Sequence, residues 1–393
     1  MQSKVAYLGF LGGIVAGLVT FDAAKAQTAS AEDVVSPLVA TPIASPNPVL
    51  GSDDRTHLAY EIVLVNMSSD TVALKKVEAL DAESGVVLGT LEGDALARVV
   101  RLNGGAKGAE LAGGGSGILF LDVTLAKEAS IPRALKHRFD IDVTKAAAAA
   151  APTGDRDPAP ETPQGVTFTG DALTVGAPAV AVALGGCCAP PSYHRNATLP
   201  INGAIRVSER FAIDFVQLNG KDTLASGPPD QLSSYEFFGD EIYAAADGTV
   251  VAVEDGLPEQ VPGKLPEGAT IQMAGGNHVV VDIGEGRFAF YAHMQPGSVK
   301  VKMGDKVKTG QVLGLLGNSG NTDTPHLHFH VMDAPSPLLA NGLPYVFTAF
   351  TGQGLITDEQ PLFTGGTVTI DKEALSGPHE NELPLADQVV SFP

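Results

Sequence analysis

Short alternations of apolar and polar residues, separated by turn clusters, dominate the chain. In its first half they recur at 58–67, 71–80, 86–91, 117–125 and 138–143. Alternation at period two puts every second side chain on one face of a strand, and this spacing predicts an antiparallel sandwich over residues 52–144. A second domain is expected over 193–352, and its most informative block lies within 206–331. The segments between lack such patterning. Residues 27–51, rich in Ser, Ala, Pro and Thr, read as a flexible tether, and 145–165, an alanine run passing into Pro, Thr, Asp and Glu, as a disordered linker. Residues 166–192 are expected to lay connecting strands, and 353–393 to form a polar C-terminal tail.

Composition supports a mainly β protein of two domains. The 393 residues exceed a single ordinary core, and 45 Gly with 27 Pro supply many turns. A formal charge of −20 repels phosphate backbones and anionic lipid, so nucleic acid is excluded as a partner and membrane contact is left to an apolar segment. The N-terminus offers one. A basic start at Lys4, an apolar run over 5–21 and the small residues of Ala24-Lys25-Ala26 read as a signal peptide, 1–26, with export to the periplasm or exterior; an uncleaved anchor is the alternative. The two cysteines, Cys187 and Cys188, are adjacent and cannot staple distant elements. A vicinal disulfide and a metal role beside His194 both remain open.

The densest chemistry lies in Thr324-Pro325-His326-Leu327-His328-Phe329-His330-Val331. As a strand, it sends His326, His328 and His330 to one face and Leu327, Phe329 and Val331 into a core behind them. Three imidazoles on one rigid face suit a metal such as zinc better than a structural role. His57 and His137, in contrast, read as surface or edge histidines, and His278 as structural or groove-lining.

Upstream stand Ala244-Ala245-Ala246-Asp247-Gly248, Gly276-Asn277-His278, Tyr291-Ala292-His293-Met294, Gly304-Asp305-Lys306-Val307 and Gly317-Asn318-Ser319-Gly320. With the histidine strand, these resemble the LytM or lysostaphin-type domain of metallopeptidase family 23. The resemblance implies a groove-bearing antiparallel domain holding one zinc through two histidines and an aspartate, with glycine-rich or D-amino-acid cross-links of peptidoglycan as substrate. It implies His328 and Asp214 as metal ligands and His326 and His293 as catalytic residues. It also implies partners in the cell envelope, either peptidoglycan peptide or cell-wall hydrolases. Separately, Tyr60-Glu61-Ile62-Val63-Leu64-Val65-Asn66 with Ser68-Ser69-Asp70 loosely resembles an immunoglobulin-like spacer module, in which no cluster of ionisable groups is expected.

One residue departs from the family pattern. Arg210 stands where the first histidine ligand is expected, four residues before Asp214, and a guanidinium has no lone pair for a metal. Three readings follow. Another donor completes the site, with His194, His330, Glu209 or a cysteine as candidates, and a zinc peptidase results. Alternatively, Arg210 pairs with Asp214 in place of the metal, giving a pseudoenzyme that binds cell wall or regulates a hydrolase. In the third, the domain serves only to recognise a partner. The long interval after Asp214, with Tyr235, Phe237 and Phe238, is expected to rim the groove, its aromatics either touching ligand or packing on the domain.

Overall fold

The computed structural model describes residues 36–104, 108–144, 154–156, 166–168, 181–189 and 192–393; the predicted signal peptide and nearly all of the predicted linker lie outside them. In the first half, long strands Arg55–Asn66 and Ser116–Ala126 pair antiparallel along their length, as do Thr71–Asp81 and Leu135–Thr144. The two sheets built on these pairs face each other across one apolar core. Leu58, Tyr60, Ile62 and Leu64 enter it from one side, and Val72, Leu74, Val77, Phe139 and Ile141 from the other. Period-two patterning, interrupted by a register shift between Leu74 and Lys76, fixes that register, because a one-residue slip would turn the apolar set outward.

The Arg55–Asn66 strand is buried on both faces for most of its length. Its reverse face lies against the second half of the chain, where Ala59 and Val49 join the larger core. Here the described part of the predicted tether, from residue 36, carries strands: Leu38–Pro42 and Asn47–Leu50 both pair with Arg55–Asn66, and Leu38 and Val49 are buried. Its Pro and Ser content hides two short edge strands, a position in which proline is tolerated.

The second half is organised by one large sheet. In spatial order its central strands are Tyr345–Ile356, Gln388–Ser391, Ala181–Leu184, Ile213–Gln217, Leu327–Met332, Arg287–Met294, Asn277–Gly284 and Gly248–Glu254, and each neighbouring pair is antiparallel. The predicted polar tail is therefore corrected. Residues 388–391 form a strand hydrogen-bonded on both sides, with Val389 and Val390 buried, and Gln360–Thr364 forms a short helix beside the cleft described below. This region also ties the two halves together. Leu383 and Leu50 exchange a backbone bond of 2.9 Å, Ser52 Oγ donates to Gln388 Oε1 at 2.7 Å, and Lys127 Nζ reaches Glu382 at 3.0 Å. Among the described residues, no helix is long and apolar enough to cross a membrane.

Candidate metal centre

Two neighbouring strands bring the site together. Asp214, on Ile213–Gln217, stands directly opposite His328, on Leu327–Met332, in the antiparallel register. Leu327, Phe329 and Val331 are wholly buried in the core on the far face, as their alternation with the histidines requires. The near face carries His328 and His330, and His326 precedes the strand by one residue.

Three imidazole nitrogens converge on one oxygen. Asp214 Oδ1 lies 2.8 Å from His328 Nδ1, 3.2 Å from His194 Nε2 and 3.4 Å from His326 Nε2. His194 sits on a short helix, Tyr193–Asn196, capped by Ser192, whose hydroxyl accepts from the Arg195 amide. Each of three rings is oriented by a backbone carbonyl that accepts from Nδ1–H: Gly185 for His194 at 2.9 Å, Thr324 for His326 at 2.7 Å and Ser319 for His293 at 2.7 Å. Since a carbonyl can only accept, the neutral form of each ring carries its lone pair on Nε2. His328 is held the other way round, with Nε2 against His330 Nδ1 at 2.8 Å and Nδ1 turned to Asp214.

Local backbone choices support this arrangement. Gly185 has a φ of 61°, and a Cβ there would run into the Tyr193 ring, which packs on it. At Gly276, with a φ of 60°, a Cβ would collide with the Ser319 carbonyl that orients His293. His293 itself adopts a φ of 64°, a left-handed conformation that costs a non-glycine residue about 1–2 kcal/mol, and its amide donates to the Gly275 carbonyl at 3.1 Å.

Electrostatics follow from burial and proximity. Burial disfavours a charged Asp214, but His194 and His326 outweigh it and hold the carboxyl well below its ordinary range. Burial likewise opposes charge on His194, yet Asp214 raises that ring to about 9. His293 and His330 go the opposite way, because burial and then neighbouring imidazoles push both well below the usual value and keep them neutral. The Nε2 of His330 is buried without a hydrogen-bond partner.

The donor set fits a tetrahedral metal. Bonds of about 2.0–2.2 Å to imidazole nitrogen and carboxylate oxygen place neighbouring donors roughly 3.3 Å apart, close to the separations around Asp214 Oδ1. Donor atoms of His194, Asp214 and His328 lie within 4.8 Å of one another, and those of His293, His326 and His328 form an overlapping group.

Arg210 is elsewhere. It lies in a turn before the strand rather than on it, so the same-face geometry behind an Arg210–Asp214 pair does not arise. Its guanidinium instead binds the buried carboxylate of Glu61, Nε at 2.9 Å and Nη2 at 2.7 Å from Oε2. Of the other candidate donors, His330 contacts His328 behind the site, and Glu209 lines the adjoining cleft. Cys187 and Cys188 are joined as a disulfide, and Cys188 lies near His57 and Asp122 rather than near Asp214.

The cleft in front of the histidines has a volume of about 530 Å³. It is lined by Leu265, Ile271, Leu338 and Phe363, and from the interval after Asp214 by the strand residue Val216 rather than by the aromatics. Tyr235 and Phe237 of that interval are buried in the core, so the packing alternative holds for them. His278 does line the cleft. His57 and His137 are buried on strands paired on both sides, against the expectation of surface or edge positions; His57 bridges Asp53 and Asp122, and His137 lies 2.6 Å from the Tyr60 hydroxyl. Three further residues were not foreseen: Tyr193, whose hydroxyl approaches Asp214, and the buried pair Glu61 and Arg195. A serine cap followed by aromatic, histidine and arginine was the signal for the first and last of these, whereas nothing local marks Glu61.

Comparison with known proteins agrees with the histidine motif. Residues 235–339 match the family described as Peptidase family M23. Over 116 residues the chain is 31% identical to the glycyl-glycine endopeptidase ALE-1 of Staphylococcus capitis, covering 29% of this chain and 30% of that protein. Over 65 residues it is 38% identical to the peptidoglycan DD-endopeptidase ShyA of Vibrio cholerae, covering 16% and 15%. The chain thus spans less than a third of the length of these curated relatives. Among solved structures, a mutant catalytic domain of the prophage-encoded M23 protein EnpA from Enterococcus faecalis aligns over 44% of this chain and 93% of its own, at 22% identity and a TM-score of 0.26. Residues 235–339 of this chain are a Peptidase M23 domain of the LytM or lysostaphin type.

Proposed function

We propose that this protein is an exported zinc metalloendopeptidase that cleaves cross-link peptides of peptidoglycan, and that His194, Asp214 and His328 hold the metal. The observation that carries this reading is the position of His194 Nε2, 3.2 Å from Asp214 Oδ1, which supplies the donor that Arg210 cannot. When bound, zinc supplies Lewis acidity toward a peptide carbonyl and lowers the pKa of a water beside it.

The remaining roles fall to side chains of the chain itself. His293 and His326 face each other with ring centres 4.5 Å apart, and each presents Nε2 toward the cleft. Held neutral by burial, His293 is suited to accept a proton there. His326, whose proton affinity Asp214 raises against the effect of burial, is suited to hold one and return it to the leaving amine. The cleft is lined by Glu209, Asp214 and Asp323 together with apolar side chains, and holds no lysine or arginine among the described residues. Such a lining suits an extended peptide that carries a free amine. Export, which the N-terminal pattern predicts, would place the enzyme where that substrate lies.

Incubation of the purified protein with peptidoglycan, followed by mass spectrometry of released peptides, tests this function. New amino termini should appear, should vanish after treatment with a zinc chelator, and should be absent for His326→Ala. A zinc-loaded protein that binds peptidoglycan and releases nothing would refute the peptidase and favour a cell-wall-binding role.

A further inference from the structure

A single carboxylate from the N-terminal sandwich joins the segments that carry two of the proposed ligands. Glu61 is wholly buried on the reverse face of the Arg55–Asn66 strand. Its Oε1 accepts from Arg195 at 2.8 and 3.1 Å, and its Oε2 accepts from Arg210 at 2.9 Å. Arg195 follows His194 on the same short helix, and Arg210 precedes Asp214 by four residues.

Besides its Ser192 cap and the contacts of Tyr193 and His194 with Gly185, the helix is fixed by the sandwich. Tyr193–Asn196 spans four residues, too few for autonomous stability. Arg195 is 1% exposed, and beyond Glu61 its guanidinium donates to the carbonyls of Tyr60 and Leu121, both in the sandwich, and of Cys188. Arg101, also in the sandwich, binds the Asn196 carbonyl and the Thr198 hydroxyl just past the helix. The sandwich thus grips the His194 helix at the residue after the histidine and again at its end. Arg210 is drawn to the same carboxylate, and its Nη1 donates to the Gly342 carbonyl at 3.0 Å.

We infer that Glu61 is a positioning residue for the metal centre: through Arg195 it sets the place of His194 relative to Asp214, which makes the sandwich a working part of the site. This rests on His194 being a ligand, as proposed above. Loss of the Glu61 charge would leave two buried guanidiniums short of their counter-ion and free the helix to shift. An outer partner of a metal ligand typically changes affinity by about 10- to 100-fold.

A double-mutant cycle on the full-length chain tests this, with zinc affinity read by chelator competition and folding of each metal-free variant read by circular dichroism. Glu61→Gln should weaken zinc binding about 10- to 100-fold in the parent protein and have little further effect in a His194→Ala background, because the residue it positions is gone. Should Glu61→Gln not fold, Arg195→Lys, which keeps the charge beside Glu61 but loses the fork, carries the same expectation. Unchanged zinc affinity in a folded variant, or an equal loss in both backgrounds, would overturn the inference. If His194→Ala binds zinc as tightly as the parent, it is the ligand assignment that has failed.

Discussion

At Asp214, burial and charge compete, and the outcome depends on how many imidazoles face the carboxylate. His194, His293, His326 and His328 each have one nitrogen fixed by a backbone carbonyl or by another ring at 2.7–2.9 Å, so the orientation of these rings is built in before any ligand arrives. His330 shows how this works behind the site. It meets His328 Nε2 and so aims Nδ1 of that ring at Asp214. Replacement by alanine should lower zinc affinity about 10- to 100-fold, whereas His330→Gln, which retains an acceptor, should stay within a few-fold of the parent. Chelator competition on the two variants checks this, and equal losses would contradict it.

The residue scale also yields a pH dependence away from the proposed metal centre. Burial lowers His137 to about 4 in the folded protein, while the unfolded ring takes up its proton near 6.5. Between these values the unfolded state binds more protons, so the contribution of a neutral His137 is complete above about pH 6.5 and is lost as pH falls toward 4, by at most about 3 kcal/mol. His137→Gln can still accept from Tyr60 without titrating. Urea unfolding from pH 7 to 4 should therefore show a shallower decline for this variant than for the parent.

Among the elements, the histidine strand was the most legible, because its period-two pattern states both faces at once and its partner strand is fixed by Asp214 opposite His328. The sandwich strands could be read from the same alternation. What could not be read were elements whose burial depends on distant chain. The strand Gln388–Ser391 offers only Val389 and Val390 in a polar context, yet it is bonded on both sides, by Tyr345–Ile356 and by Ala181–Leu184 from far upstream. Val390→Ala should cost about 2 kcal/mol, and deletion of 388–393 should abolish the cooperative unfolding transition. A deletion variant with the parent melting temperature would show that these residues are the tail their composition suggests. Arg210 illustrates the same limit: a position four residues before Asp214 invited a local pair, whereas its carboxylate lies 149 residues away on another sheet.

For the molecule as a whole, the two halves are joined by polar bonds, the Glu61 and Ser52 ones buried, as well as by apolar contact. The Glu61 cluster, the Ser52–Gln388 bond and the Lys127–Glu382 pair all cross between the sandwich and the large sheet. A buried ion cluster contributes little net stability compared with apolar packing, but breaking it is costly, which makes such contacts better suited to fixing geometry than to adding strength. On the proposed ligand set, the arginine at position 210 and the presence of His194 are two sides of one arrangement, in which the sandwich takes the arginine and holds the helix that carries the proposed replacement donor.

Zinc stoichiometry, measured by elemental analysis of the gently purified full-length chain and of His194→Ala, tests this most directly. About one equivalent is expected in the parent and well under about half in the folded variant. A parent protein that holds no zinc, or a variant that holds as much as the parent, would contradict it.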